Sequence, residues 1–343
     1  MDGTKASADH KEVTTMLRIG IIGAGRIGRV HAQSISINPK AQLVLVADIY
    51  EDGARSLAEQ YGARWTTNAD DVFIDTEVDA VVICSPTPLH APQILAAAQA
   101  GKPALCEKPL AASSAEVDAF LTELGNLNPV VMLGFNRRFD PSFAAIHDAV
   151  KEGKIGDLEQ LTIISRDPSA PPKEYIAISG GIFADMTIHD FDTARFFLGD
   201  IVSVFALGQN LDPELADTGD FDGAVITLVN AAGKSATITN SRHCASGYDQ
   251  RLEAFGTKGS LFAENIRPTT VRYSSSHVTS AEDPYLDFFL ERYEAAYARE
   301  LDEFIDAVNT GRTPSPSIAD GAAALRLAEA AAKSARTGQV VRI

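Results

Sequence analysis

Basic residues are scarce in this chain of 343 residues: 30 Lys and Arg stand against 46 Asp and Glu, a net charge of −16. A phosphate backbone is held by a basic surface, so this balance argues against a nucleic-acid partner. An anionic membrane surface is disfavoured on the same ground. A small neutral or anionic ligand stays compatible, because a site can be locally basic. Long apolar runs are missing as well; the longest are strand-sized, and none would span a bilayer. The opening MDGTKASADHKEVTT has no apolar core and does not read as a secretory signal. Residues 1–15 are expected to form a disordered leader, and the protein to be cytoplasmic. Cysteine is nearly absent. Cys84, Cys106 and Cys244 are odd in number and widely spaced, with no CxxC pair, which argues against a disulfide framework. Cys84 and Cys106 lie in apolar runs and read as small buried hydrophobes.

What is present is globular: 45% hydrophobic and 22% charged residues, without biased tracts. The length exceeds what one core ordinarily supports, so two domains are expected, residues 16–137 and 138–343. From Leu17 to about Asn136, the runs LRIGIIG, AQLVLVAD, VDAVVICSP, PALCEK and PVVMLGFN read as strands buried on both faces. Between them ARSLAEQYG, HAPQILAAAQAG and SAEVDAFLTELG have helical apolar spacing, and each ends in Gly. That alternation implies a doubly wound parallel sheet. The second half changes rhythm. LEQLTIISRD, IVSVFALGQ, GAVITLVN, SATITNSR and RLEAFGTKG alternate between turn residues, which predicts an α+β domain with a large, mostly antiparallel sheet. A cleft between the domains is the expected place for a ligand.

Gly23-Ala24-Gly25-Arg26-Ile27-Gly28 fits GxGxxG directly after the strand LRIGII and at the start of the helix RIGRVHAQSI. In that context Gly23 allows the tight turn, Gly25 admits a pyrophosphate, and Gly28 lets helix and sheet pack closely. The helix N-terminus adds free N–H groups. Asp48 ends the second strand about twenty residues on, where a carboxylate can bind both ribose hydroxyls and repel a 2′-phosphate. Ile49 and Tyr50 offer no cation to offset that repulsion, so NAD is expected as the cofactor, in a Rossmann domain. Ser85, Thr87, His90, Glu107 and Lys108, near the ends of later strands, complete the expected cofactor set.

CEKPL at 106–110 ends a later strand on the ligand-binding edge, with Lys108 directed at the crevice. In the second domain, ADMTIHDFD at 184–192 follows Gly180-Gly181. If residues 185–198 are one helix, Asp185 and His189 are i and i+4 and share a face. Asp190 is expected to point elsewhere, exposed or as a structural partner, and Asp192 is open. One His with one or two Asp makes a poor zinc site, so no metal is expected. The reading that uses all these groups is an alcohol oxidation: His189 as general base, Asp185 orienting it or binding a neighbouring hydroxyl, and Lys108 on the reacting oxygen.

The ordered set GAGRIG, EKPL and DxxxH, covering essentially everything from Leu17 onward, resembles the glucose–fructose oxidoreductase / inositol dehydrogenase / MocA family. The strings GFNRRFDPSF, ISRDP, GGIFADMTIHDFDTARFFLG and YDQRLEAFG look like its inositol 2-dehydrogenase branch. The resemblance implies NAD-dependent oxidation of a cyclitol, myo-inositol to its 2-keto product, with Lys108, Asp185 and His189 catalytic. It also implies substrate contacts from Asn136, Arg137, Asp167 and Tyr248, and a homotetramer joined through the second sheet. Arg137 and Arg138 have an alternative reading as domain-joining ion pairs, Asp167 as a turn residue, and Tyr248 as a packed aromatic. Alternative activities are a dehydrogenase of another inositol isomer or a sugar, an NAD-dependent glycosidase, or a non-catalytic NAD-binding regulator.

Overall fold

The structure is a computed structural model and describes residues 16–343; the expected leader lies outside the described residues. Six strands build the first sheet: β1 (Leu17–Ile22), β2 (Ala41–Ala47), β3 (Arg64–Thr66), β4 (Ala80–Ile83), β5 (Ala104–Glu107) and β6 (Val131–Gly134). Every pairing is parallel, in the order β3-β2-β1-β4-β5-β6. Helices α1 (Arg26–Ile37), α2 (Glu51–Tyr61), α3 (Asp70–Ile74), α4 (His90–Gln99) and α5 (Ser114–Leu124) connect them. The strands are apolar on both sides because each face carries its own core, one around Ile19, Ile21 and Val46 and the other around Val81, Ile83 and Leu133. The strand order reverses between β1 and β4, which places a ligand crevice beyond their C-terminal ends. Strand β3 shows no sequence signal: three residues, RWT, are too few for a pattern.

The second sheet takes β7 (Leu158–Arg166), β8 (Ile201–Gln209), β9 (Gly223–Asn230), β10 (Ser235–Ser241), β11 (Asp249–Gly256) and β12 (Gly259–Ala263). A small ribbon of β13 (Arg272–Tyr273) and β14 (Ala281–Glu282) stands apart, and β15 (Val341–Arg342) closes the edge. The order is β12-β11-β7-β10-β9-β8-β15, antiparallel throughout except for the central β7–β10 pair. The expected mostly antiparallel sheet is therefore present. The parallel centre sets the C-terminal ends of β7 and β10 side by side, with Asp167 N–H donating to the Ser241 carbonyl at 2.9 Å.

The remaining helices are α6 (Pro141–Lys151), α7 (Lys173–Ile176), α8 (Gly181–Asp185), α9 (Ile188–Leu198), α10 (Phe289–Arg292), α11 (Glu294–Thr310) and α12 (Ile318–Thr337). Helix α6 starts sharply: Pro141 is its first residue, and Asp140 accepts the N–H groups of Ser142 and Phe143 at 3.0 Å. The last two long helices return to the first sheet. Leu301, Phe304 and Ile305 of α11 join the core with Ile19 and Val46, while Ala322 and Leu325 of α12 join the opposite one. Further along α12, Leu327, Ala328 and Ala331 enter the core of the second sheet. Each large side chain so buried contributes roughly 1.5–3 kcal/mol. A cut at residue 137 thus separates the two sheets, but not the helices that cover them.

Candidate active site

The glycine-rich turn follows β1. Gly23 has φ +102°, and a Cβ there would meet the Cys84 carbonyl oxygen at 2.5 Å. A Cβ on Gly25 would have nothing within 4 Å, so this position opens to the crevice. Helix α1 begins at Arg26 with no side-chain cap, which leaves its first N–H groups available. The open backbone at Gly25 and the uncapped helix end fit a dinucleotide pyrophosphate. Asp48, just past β2, accepts from Ala24 N–H at 2.7 Å and Tyr50 N–H at 2.9 Å. Its carboxylate thus also ties the glycine turn to the end of β2. Ile27 packs towards the aromatic cluster around Tyr248, and Arg26 lies over the Phe288 ring.

Three expected cofactor residues have a mainly architectural setting. His90 is 1% exposed, with Nδ1 2.7 Å from the Pro109 carbonyl and Nε2 2.7 Å from the Ser85 carbonyl. Its ring braces the turn after β4 against the Lys108-Pro109 turn. Glu107 is likewise buried and paired with His31 of α1 at 2.7 Å. Ser85 donates to Gln93 at 2.6 Å. Thr87 opens a short 3-10 turn after β4 and is partly exposed.

The Lys108 ammonium crosses from the first sheet to the second domain. It donates to the Asp185 carbonyl at 2.7 Å and approaches Asp185 Oδ1 at 3.5 Å. The same Oδ1 accepts from the Tyr175 hydroxyl at 3.0 Å. Sequence reasoning missed Tyr175, because nothing in PPKEYIAIS marks a tyrosine ten residues ahead as a partner. Asp185 and His189 do not share one helix. Helix α8 ends at Asp185, α9 begins at Ile188, and the Thr187 N–H reaches back five residues to the Ile182 carbonyl at 2.9 Å. That wide, π-type turn is a break commonly found at functional sites. Asp185 therefore engages Lys108 and Tyr175 and makes no hydrogen bond to His189 among the described residues.

His189 packs edge-on against Phe135, ring centroids 6.0 Å apart. Its Nδ1 is buried without a partner, and its Nε2 makes no hydrogen bond, among the described residues. Burial first, then the charges of Lys108 and Arg137, hold its pKa well below the ordinary histidine value. The ring is neutral at neutral pH and can accept a proton.

Beneath this site lies a layer of buried ion pairs. Arg137 donates to Asp190 and, at 3.1 Å, to Ser165; Arg138 grips both oxygens of Asp192 at 2.8 and 2.5 Å. Asp190 is 0% exposed and also accepts from Asn240 at 2.8 Å, so the expectation of an exposed Asp190 is corrected. Of its two readings, structural partner is the one observed, and Asp192 takes the same role. Both arginines come from the turn after β6 and both aspartates from α9, so these pairs join the two domains, the alternative reading of Arg137 and Arg138. Asn136 is buried in that turn.

Asp167 sits at the C-terminal end of β7. Burial pushes its pKa up to about 6, against the pull of Arg137, with the Asp185 charge adding to the rise. Arg242, past β10 and 1% exposed, lies 3.1 Å from Asp220 and adds a second cation near Asp167. Tyr248 is 5% exposed and packs edge-on against Tyr293 and Phe288, the packed-aromatic setting; its hydroxyl lies in the field of Arg137 and Asp167. Despite the net negative chain, Lys108 and the two buried arginines Arg137 and Arg242 lie close enough to act on His189 or Asp167. Among the described residues no group of three or more His, Cys, Asp and Glu converges as a metal would need.

Residues 17–135 match the model of an oxidoreductase family with an NAD-binding Rossmann fold, and residues 143–262 match the GFO/IDH/MocA C-terminal domain. The chain belongs to the GFO/IDH/MocA oxidoreductase family. Its first domain is an NAD-binding Rossmann domain. Within the family it is 48% identical to the inositol 2-dehydrogenase of Rhizobium meliloti (strain 1021), over 93% of this chain and 96% of that protein. The crystal structure of a myo-inositol dehydrogenase from Corynebacterium glutamicum ATCC 13032 superposes with a TM-score of 0.94 at 52% identity, covering 96% and 99% of the two chains. A scyllo-inositol dehydrogenase from Lactobacillus casei, solved with bound NAD(H) and scyllo-inositol, superposes at 0.88 with 28% identity, covering 96% and 99%. This member of the family carries the expected fold class, a parallel sheet, here of six strands, followed by a mostly antiparallel one, here of seven. No helix among the described residues is long and apolar enough to cross a membrane.

Proposed function

We propose that this oxidoreductase oxidises a cyclitol, myo-inositol to its 2-keto product, with NAD as the acceptor. The observation that carries the reading is the meeting of Lys108, from the cofactor domain, with Asp185 beside a neutral His189. When bound along Gly25 and the N-terminus of α1, NAD supplies the hydride acceptor. The chain's own groups handle the proton and the charge. His189 Nε2 takes the hydroxyl proton as carbon–hydrogen cleavage begins. The Lys108 ammonium donates to the same oxygen and favours its developing negative charge. Asp185 and Asp167 are carboxyls suited to neighbouring hydroxyls of a ring that has one on every carbon, which supports a cyclitol over a simple alcohol. Arg137 supports the floor through Asp190, and Tyr248 shapes the wall; Asn136 lies in the same turn as Arg137.

The similarity to inositol dehydrogenases of high coverage supports the substrate class. The homotetramer is proposed on a separate observation. Phe205, Leu207, Val225, Phe255 and Phe262 are exposed on the outer side of the second sheet, an apolar face of the kind that marks a contact between subunits. Sedimentation should give the mass of four chains.

The test is NADH formation with myo-, scyllo- and D-chiro-inositol, glucose and xylose. NADH should accumulate with myo-inositol, and Lys108→Ala or His189→Ala should abolish turnover while NAD binding stays near normal. Glycoside hydrolysis without net NADH would assign the site to the glycosidase chemistry instead. Full turnover by His189→Ala would remove the general-base assignment.

A further inference from the structure

Asp185 has two oxygens in different circumstances. Oδ1 is shared by the Tyr175 hydroxyl at 3.0 Å and the Lys108 ammonium at 3.5 Å. Oδ2 has no hydrogen-bond partner among the described residues and is not sealed from the crevice. The carboxylate is thus anchored on one side and open on the other.

Tyr175 comes from α7, a single helical turn that belongs to neither sheet. This turn is held by the buried Ile176 and by an exposed Lys173–Asp217 pair at 2.7 Å. A phenol present only for packing would be covered, yet Tyr175 is 46% exposed and its hydroxyl meets a carboxylate of the site.

We propose that Tyr175 is a positioning residue for polyol binding: its hydroxyl fixes Asp185 through Oδ1 and so presents Oδ2 as acceptor for a substrate hydroxyl. The inference rests on the cyclitol reading of the site. Two consequences follow from the geometry. Without the phenol hydroxyl, Asp185 is free to turn Oδ2 towards Lys108, and the open acceptor is lost. The phenol is also a dependable donor, since burial first, and then the Asp185 charge, raises its pKa above the ordinary tyrosine value.

The test compares the full chain, Tyr175→Phe, Asp185→Asn and the double variant. Turnover of myo-inositol by the unaltered protein checks the cyclitol reading; no turnover there overturns that reading alone. Calorimetry on the enzyme–NADH complex then gives the affinity for myo-inositol even where turnover is lost. Tyr175→Phe is expected to weaken polyol binding about tenfold, as for loss of a hydrogen bond to a charged group. NAD affinity and melting temperature should be unchanged. In the Asp185→Asn background the same substitution should add less than about twofold, because the two residues act as a unit. Unchanged polyol affinity in Tyr175→Phe would overturn the proposal. So would an equal loss in both backgrounds, or a loss accompanied by weaker NAD binding or lower melting temperature.

Discussion

Asp167 is pulled in opposite directions at the end of β7. Burial and the neighbouring Asp185 favour its neutral form, while Arg137 and Arg242 favour the carboxylate; the balance lies at about 6. Folding therefore favours the protonated group. Its stabilising contribution is complete below the ordinary value of 3.8 and is lost as pH rises through about 6. Catalysis depends on it in the other sense if the carboxylate accepts a polyol hydroxyl. The polyol kcat/KM is expected to rise through a single inflection near pH 6, which Asp167→Asn removes. His189 cannot supply that inflection, since its pKa lies well below the ordinary histidine value. A profile that keeps the inflection in Asp167→Asn would assign it elsewhere. Asp167 as a candidate was legible from SRDP, but its shift was not. That shift comes from burial and from the Asp185 charge, held in check by Arg137 and Arg242, and the tertiary fold that sets all of these leaves no local sequence pattern.

At the scale of elements, ADMTIHDFD divides at Met186–Thr187. A 3.6-residue period run straight through 185–198 puts Asp185 and His189 on one face, and the wide turn at Thr187 breaks that period. The composition of the stretch was readable, but the break was not, because Met and Thr are compatible with a helix interior. The partners of Asp190 and Asp192 were hidden for a different reason. Arg137 and Arg138 lie 53 and 54 positions away, and ion pairing at that range leaves no local pattern. These pairs matter to stability in a way that the exposed Arg55–Glu51 pair does not, since a surface pair contributes about 0–1 kcal/mol. Asp192→Ala leaves Arg138, 7% exposed, with only the partly exposed Asp320 as counter-charge and is expected to cost roughly 3–5 kcal/mol in urea unfolding. A cost under about 1 kcal/mol would show that Asp320, 3.1 Å from Arg138, suffices alone.

For the whole molecule, alternating β and α runs made the parallel sheet legible, because short connections and buried strands leave few other topologies. Two features were not. An amphipathic pattern shows that α11 and α12 bury one face, but not that they bury it on the first sheet, across the chain from their neighbours in sequence. Nor does alternation distinguish the parallel β7–β10 pair from an antiparallel one. Both features position the site: the first closes the cofactor domain, and the second brings Asp167 beside the end of β10. The central claim is that a cyclitol carbon delivers hydride to NAD between Lys108 and His189. Myo-inositol carrying deuterium on the carbinol carbon at position 2, incubated with the protein and NAD, tests it most directly. The reduced nicotinamide should carry the deuterium, and the ring product a ketone at the same carbon. Reduced nicotinamide without the label, or none at all, would contradict the account.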